Sequence, residues 1–304
     1  MKRILVTGGS GFVGSHVLNL LADGGFEVHV ISSRTEFSLD NRWQWHQVNL
    51  LDFQQVENLI KKIKPTYLLH LAWGDMAPGN VYKSKDNYLW VQISLALILN
   101  FIQYGGQRLV MAGSLAEYDY SYGYLLENIT PSSYQTPYAA SKNALRLLVQ
   151  SLSEQTGLSS CWGRITFIYG PGEHPKRLIP SVTISLLKDE EALCTHGEQF
   201  RDYLHVYDAA RALVLLLESD IQGTVNIASG QSVQVKEIVL KIAQELGKPH
   251  LVRLGAIPFP DSEPLFIQAS TEYLTNKVRW KPDFDLDSGL KDSISWWKHN
   301  LTKD

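Results

Sequence analysis

Cysteine is nearly absent. Cys161 and Cys194 are the only two in 304 residues, too few for a disulfide framework and without a Cys-x-x-Cys spacing, so a reducing interior is the simpler context. A block of one charge sign is also missing: 28 Lys plus Arg against 31 Asp plus Glu leave a net charge of -3. That balance argues against a dedicated nucleic-acid or anionic-membrane surface and leaves a small molecule as the expected partner. Long apolar runs are lacking too. The longest, Leu89 to Ile102, is broken by Gln92, Ser94 and Asn100 and falls short of the roughly 20 residues a bilayer demands. Lys2 and Arg3 are followed only by Ile4, Leu5 and Val6 before Thr7-Gly8-Gly9, so no signal-peptide core develops. A cytoplasmic protein without a membrane partner is the expectation. The nine histidines show no metal-type spacing; His70, His174 and His205 read as structural, and no metal is expected.

What is present is alternation. Short β-type runs at Arg3 to Thr7, Glu27 to Ile31, Tyr67 to Leu71, Arg108 to Ala112 and Ser160 to Phe167 are separated by helical patterns at 12–23, 53–63, 89–104 and 136–156. This predicts an α/β fold with a doubly wound parallel sheet, whose right-handed crossovers bring the strand ends and their loops to one edge. After Tyr169 the rhythm loosens. Gly170-Pro171-Gly172 and Pro175 punctuate a loop, and helices at 206–218, 234–246 and 286–298 are separated by irregular segments, which reads as a smaller C-terminal α/β lobe covering the site.

Thr7-Gly8-Gly9-Ser10-Gly11-Phe12-Val13-Gly14 follows an apolar strand and opens a helical pattern, the context of a dinucleotide-binding turn. Glycine permits the tight turn, the close approach of backbone to a pyrophosphate, and the packing of helix on strand, while the helix N-terminus faces the phosphates. Gly8, Gly11, Phe12, Val13 and Gly14 are therefore candidate cofactor contacts. The first domain is expected to be a dinucleotide-binding Rossmann unit over 1–170, with 171–304 mainly a substrate-binding lobe and strand exchange between the two left open. The second strand runs into Val30-Ile31-Ser32-Ser33-Arg34 with no acid before Glu36. An acid there holds a ribose 2′-hydroxyl and an arginine accommodates a 2′-phosphate, so Ser33 and Arg34 favour NADP(H), with NAD(H) left open.

Tyr138-Ala-Ala-Ser-Lys142 places a phenol and an ammonium one helical turn apart, and a neighbouring positive charge favours the phenolate. The spacing alone is weak, since Tyr273 and Lys277 repeat it. Context separates them: the strand before Tyr138 ends in Gly113-Ser114 on the cofactor edge, where a hydroxyl and the phenol can share one carbonyl oxygen. Ser114, Tyr138 and Lys142 are the candidate catalytic set. Trp73, Trp90, Tyr118, Tyr120, Tyr122 and Tyr124 crowd the nearby loops, with faces suited to sugars or bases and equally to core packing.

With these motifs in view, the chain resembles an extended short-chain dehydrogenase/reductase of the group that modifies nucleotide-linked sugars. Further matches carry the likeness. Asn49-Leu50-Leu51-Asp52 stands where such enzymes place an adenine-contacting acidic motif, with Asn49 in place of the first acid. His70-Leu71-Ala72 matches the strand end under the cofactor, Arg164 to Gly172 the strand and YGPG turn, and Arg201 to Val206 with Asp208 the RDY segment. The resemblance implies that Asn49, Leu50, Leu71, Ala72 and Lys142 contact the cofactor, that Arg201 meets a nucleotide diphosphate, and that Arg177 lines the nucleotide pocket. It implies that the tyrosine exchanges a proton with a sugar oxygen, the serine polarises that oxygen, and the lysine binds the nicotinamide ribose and lowers the tyrosine pKa. It also implies a homodimer through the helix carrying Leu145, Leu148, Val149 and Leu152.

Departures narrow the reaction. The family's 4,6-dehydratases carry an Asp-Glu type pair directly after the catalytic serine or threonine; here Leu115 and Ala116 stand there and Glu117 comes one residue late. Phe167 replaces a usual asparagine, and no late arginine precedes an acid around Ser262 to Ser270. The expectation is an NADP(H)-dependent reductase of the 4-keto group of a nucleotide-linked 6-deoxy hexose. A 4-epimerase with tightly bound NAD is the alternative, with a 4,6-dehydratase or a non-catalytic NADP-binding sensor behind it.

Overall fold

A computed structural model describes residues 2–33, 40–74 and 80–301, which leaves Arg34 outside the described residues. In chain order the first half holds β1 (Arg3–Thr7), α1 (Phe12–Asp23), β2 (Glu27–Ser32), β3 (Trp43–Gln47), α2 (Phe53–Ile63), β4 (Tyr67–His70), α3 (Asn80–Lys83), α4 (Asp86–Gln103), β5 (Arg108–Ser114), β6 (Tyr124–Leu125), α5 (Pro137–Thr156), β7 (Ser159–Ile165) and β8 (Phe167–Tyr169). The second holds α6 (Leu178–Leu187), β9 (Ala192–Leu193), β10 (Phe200–His205), α7 (Val206–Glu218), β11 (Gly223–Ile227), β12 (Ser232–Gln234), α8 (Val235–Glu245), β13 (Val252–Arg253), β14 (Phe266–Ala269), α9 (Glu272–Val278) and α10 (Leu286–Leu301).

Among the described residues seven strands form one parallel sheet in the order β11-β7-β5-β4-β1-β2-β3. The apolar core of β1 explains the layers. Ile4 and Val6 face α1 and α7, packing with Val17, Leu18, Leu21, Leu213 and Leu217. Leu5 faces the other way, onto a layer containing Val56 and Ile60 of α2, Leu97 and Phe101 of α4, and Leu145 and Val149 of α5. Burial of each such side chain stabilises by about 1.5–3 kcal/mol, so two filled faces hold the central strand. The chain turns from one half of the sheet to the other between β1 and β4, and at such a switch the loops part and leave a crevice for a ligand.

A smaller sheet runs β12-β10-β14-β6, with β8 also on β10. It takes β6 from the first half of the chain, while β11 from the second half joins the large sheet. Beneath it, α6, α8 and α10 enclose Ile179, Val182, Leu186, Ile238, Val239, Ile242, Leu290 and Ile294.

Two expectations change. The single strand Ser160 to Phe167 is split at Thr166, whose N–H donates to Ile227 O at 3.0 Å and whose hydroxyl donates to Asp202 O at 2.6 Å; β7 stays in the large sheet and β8 crosses to the small one. The edge strand β3 was not foreseen, although Trp43-Gln44-Trp45 alternates as a half-buried strand does. Among the described residues no helix is long and apolar enough to cross a membrane.

Candidate active site

The glycine turn leaves β1 at Thr7 and enters α1 at Phe12. Gly8 has φ +73, and a Cβ there would stand 2.7 Å from Ala72 N; one at Gly14 would stand 2.1 Å from Gly8 O. Gly11 N donates to Gly8 O at 3.0 Å, closing the turn. Gly11 is the N-cap of α1, with no side-chain cap and no acid in the first turn, so the amides and the positive end of the helix dipole face outward for an anion. Val13 packs partly into the core and anchors the helix start. These residues fit a pyrophosphate.

β4 ends under the turn. Leu71 N donates to Thr7 O at 3.1 Å and Ala72 N to Thr7 Oγ1 at 3.3 Å. Thr7 Oγ1 also pairs with His70 Nδ1 at 2.5 Å, and His70 Nε2 with Ser94 Oγ at 2.8 Å. Burial pulls His70 down to about 3, with Lys142 adding to the effect, so it is neutral and acts as a strut. Ser33 is exposed at the end of β2. Asn49 is exposed, its Oδ1 already accepting from Leu51 N at 3.0 Å, and Leu50 is half-buried. Asp52, the acid of that motif, caps α2 by accepting from Gln55 N at 3.0 Å.

Ser114 closes β5, and Tyr138 and Lys142 project from the first turns of α5. Thr136 caps that helix through Ala139 N at 3.1 Å, and Pro137 takes the first helical position, where its missing N–H costs nothing. The three candidates meet. The Ser114 side chain acts on the phenol of Tyr138, whose ring lies edge-on to Tyr82 at 5.6 Å and to Trp73 at 6.2 Å. Lys142 Nζ donates to Ala112 O at 2.9 Å and lies 3.7 Å over the Trp73 ring and 5.8 Å from the Tyr138 ring centre.

The charge logic differs from expectation. Burial pushes the Tyr138 phenol up, and the downward pulls come from Ser114 and Arg177 rather than Lys142. Burial in turn pulls Lys142 down to about 7, opposed by Glu117. Tyr138 therefore keeps its proton at neutral pH.

Arg177 is the N-cap residue of α6, and its charge reaches Tyr138, Glu173 and Tyr203. Arg201 on β10 is buried; its Nη1 donates to Phe200 O at 2.8 Å, its Nη2 pairs with Glu263 at 2.8 Å, and it lies 5.8 Å from the Phe167 ring. Its charge reaches Tyr120 and Tyr203. Glu263 is an acid in the stretch near Ser262, acting here as the partner of Arg201.

The aromatic residues divide. Trp73 and Tyr120 border the candidate set; Tyr118 is core, its hydroxyl donating to Asn226 Oδ1 at 2.7 Å; Tyr122 and Tyr124 are exposed. Tyr82 was not foreseen, and no local pattern marks it. Glu173 was also missed: buried, with Oε2 unpartnered, it is pushed up to about 8 by burial against the pull of Arg177. Glu117, one residue late in sequence, is held in a buried ion pair with Arg164 at 2.8 Å. Its signal was readable: Ser114-Leu-Ala-Glu117 is a capping-box pattern, and the box is formed. Tyr273 and Lys277 lie on α9, Tyr273 packed against the α1/α7 core. The stripe on α5 splits, since Leu145 and Val149 are core, Leu152 is half-buried and Leu148 is exposed. His205 stacks on Phe284 with ring centres 4.0 Å apart, and among the described residues no His, Cys, Asp or Glu cluster is grouped for a metal.

Comparison with known proteins gives a consistent result. The chain is similar to the CDP-abequose synthase of Salmonella typhimurium, 25% identical over 309 residues that cover 96% of this chain and 97% of that one. Among solved structures it matches the UDP-N-acetylglucosamine 4-epimerase of Methanobrevibacter ruminantium M1 with a TM-score of 0.87 at 25% identity, over 98% of this chain and 99% of that one. It shares the fold of the dTDP-glucose 4,6-dehydratase of Streptomyces venezuelae with NAD bound, with a TM-score of 0.84 at 23% identity over 99% and 98% of the two chains. The profile of the NAD dependent epimerase/dehydratase family matches residues 4–228, from the first strand to just past the last strand of the large sheet, and the chain belongs to that family of enzymes.

Proposed function

We propose that the protein is an NADP(H)-dependent reductase of the 4-keto group of a nucleotide-linked 6-deoxy hexose. The observation that carries this reading is the orientation of Glu117. Leu115 and Ala116 offer no acid or base beside Ser114, and the carboxylate of Glu117 is held by Trp162 and Arg164. Loss of water across two carbons needs a second acid/base pair near the sugar; proton and hydride exchange at one carbonyl needs only the phenol and the nicotinamide.

A nicotinamide cofactor held by the glycine turn and Lys142 would supply hydride to the carbonyl carbon. Tyr138 gives its proton to the carbonyl oxygen, and the Ser114 hydroxyl hydrogen-bonds the same oxygen, so ketone becomes alcohol. Lys142 holds the cofactor ribose. Arg177 and Arg201 meet the nucleotide diphosphate as charge-assisted donors, Arg201 exchanging Glu263 for phosphate oxygens. The NADP(H) preference rests on Ser33 and Arg34 after the second strand.

A 4-epimerase with tightly bound NAD is the second reading, favoured by the likeness to the UDP-N-acetylglucosamine 4-epimerase. One experiment separates them: the purified protein is given NADPH and a nucleotide-linked 4-keto-6-deoxyhexose. Stoichiometric loss of NADPH with formation of the 4-hydroxy sugar supports the reductase. Retained NAD with no net NADPH consumption defeats it.

The same proposal includes a homodimer. α4 and α5 leave Tyr88, Leu89, Leu99, Leu147 and Leu148 exposed, an apolar surface of the kind that marks association. Light scattering at the mass of two chains, reduced to one by Leu99→Glu with Leu148→Glu, is the expected result.

A further inference from the structure

Glu117 has no exposed surface. Its Oε1 accepts from the Ser114 backbone N–H at 2.8 Å and from Trp162 Nε1 at 2.9 Å, and its Oε2 accepts from Arg164 Nε at 2.8 Å. Its carbonyl oxygen accepts from Nδ2 of Asn143, the neighbour of Lys142, at 2.9 Å, and Asn143 Oδ1 accepts from Arg164 Nη2 at 3.4 Å. A Cβ at Gly113 would stand 2.2 Å from Trp162 Nε1 and 2.6 Å from Glu117 Oε1, so glycine at that position lets the carboxylate close over the end of β5. One residue thus joins the end of β5, the middle of β7 and the first turns of α5.

Capping a three-residue turn does not account for this. A cap works as well with an exposed side chain, and burying a carboxylate costs more than one capped turn returns. The surroundings account for it better. The titratable groups acting around Lys142 are Glu117, His70 of β4 and Tyr138 of its own helix, and Glu117 is the anion among them. Around Glu117 stand Arg164 of β7, Arg146 and Lys142 of α5, and the phenols of Tyr118, Tyr120 and Tyr138.

We propose that Glu117 is a positioning residue for the Ser114, Tyr138 and Lys142 set, its carboxylate fixing the Ser114 backbone and serving as the buried counter-charge of Lys142, a role that rests on the reading of those three as catalytic. Holding the Ser114 N–H sets where its hydroxyl meets Tyr138. Lys142 stands 6.0 Å from the ring of Trp162, whose Nε1 donates to the Glu117 carboxylate, and an anion held there favours the charged ammonium against burial.

The test pairs E117Q, which removes the charge at nearly constant size, with E117D, which keeps the charge and retracts it by one methylene. One readout needs no turnover: the difference in urea-unfolding stability between each protein and the same protein carrying K142M, followed against pH, reports the Lys142 midpoint. In E117Q that midpoint falls by at least about one pH unit, the effect of losing a buried opposite charge. Its kcat for NADPH oxidation falls roughly tenfold or more and the alkaline limb moves to lower pH, while KM for the nucleotide sugar changes less than about threefold. E117D keeps the wild-type midpoint and loses only kcat. An unmoved midpoint and alkaline limb in E117Q overturns the proposal; if E117Q does not fold, an E117D protein with wild-type kcat overturns it. Y138F separates the two ideas. Full turnover in Y138F sinks the catalytic reading, whereas lost turnover there with an unmoved E117Q midpoint sinks the role of Glu117 alone.

Discussion

The ammonium of Lys142 lies 3.7 Å over the indole ring of Trp73 and donates at 2.9 Å to Ala112 O. A desolvated cation on an indole face gains about 2 kcal/mol, and the carbonyl adds a charge-assisted hydrogen bond. Both favour the charged form, yet burial wins and pulls Lys142 to about 7. The lysine therefore stands near its midpoint at neutral pH, where small changes around it alter its charge.

Trp73 is accordingly both wall and partner. Its Nε1 donates to Asn87 Oδ1 at 2.7 Å and its ring is buried. Trp73→Ala should cost about 3–5 kcal/mol of stability through the cavity alone, with Trp73→Phe milder because an aromatic face remains for Lys142. Urea unfolding measures both, and a loss under about 1 kcal/mol for the alanine variant would contradict the packing described.

Removing the Tyr138 hydroxyl tests the proton donor. Tyr138→Phe keeps the ring contacts with Tyr82 and Trp73 and should fold normally, while kcat falls by about 10²-fold or more. NADPH titration should show near wild-type affinity. Weakened cofactor binding with intact turnover would be the wrong pattern.

The glycine cradle allows a sharper test. A methyl group at Gly14 would stand 2.1 Å from Gly8 O, so Gly14→Ala must open the turn. Overpacking of this kind costs about 1–3 kcal/mol, and NADPH affinity should fall roughly tenfold or more in calorimetry. Unchanged affinity would place the pyrophosphate elsewhere.

Glu173 gives a pH signature. Its carboxyl is raised from 4.5 to about 8, chiefly by burial, so the folded state holds a proton that the unfolded chain releases. Its contribution to stability is full below the unfolded value and is lost as pH rises through the folded one. Glu173→Gln stays neutral and should gain stability relative to wild type as pH climbs from 4.5 to about 8, by a few kcal/mol at most. Parallel stability curves for the two proteins would refute this.

Cofactor choice is tested at Arg34. Arg34→Ala should raise KM for NADPH roughly tenfold and leave KM for NADH within about threefold, since the lost interaction is with a 2′-phosphate. Equal effects on both cofactors would count against the NADP(H) preference.

Much of the candidate site was legible because its signals are local. Gly8, Gly11 and Gly14 answer steric demands within one turn, and Tyr138 and Lys142 meet through helical spacing. Ser114 follows from its place at a strand end. The stripe on α5 was legible as apolar and illegible as to facing, since Leu145 and Val149 turn to the sheet while Leu148 does not. Asp52 had a double reading, and the helix start took it as a cap.

The residue order by itself determined the parallel sheet, the tight glycine turn and the meeting of Ser114, Tyr138 and Lys142, because each depends on neighbours a few positions away. The tertiary structure decided the rest. Glu117 meets Arg164 across 47 residues, Arg201 meets Glu263 across 62, and Thr166 splits its strand by bonding Asp202 across 36. The low pKa of Lys142 comes from burial under Trp73, Tyr138 and Trp162, an environment assembled only when the large sheet closes over its helices. Contacts of that range depend on which elements pack together, and no window of sequence contains them.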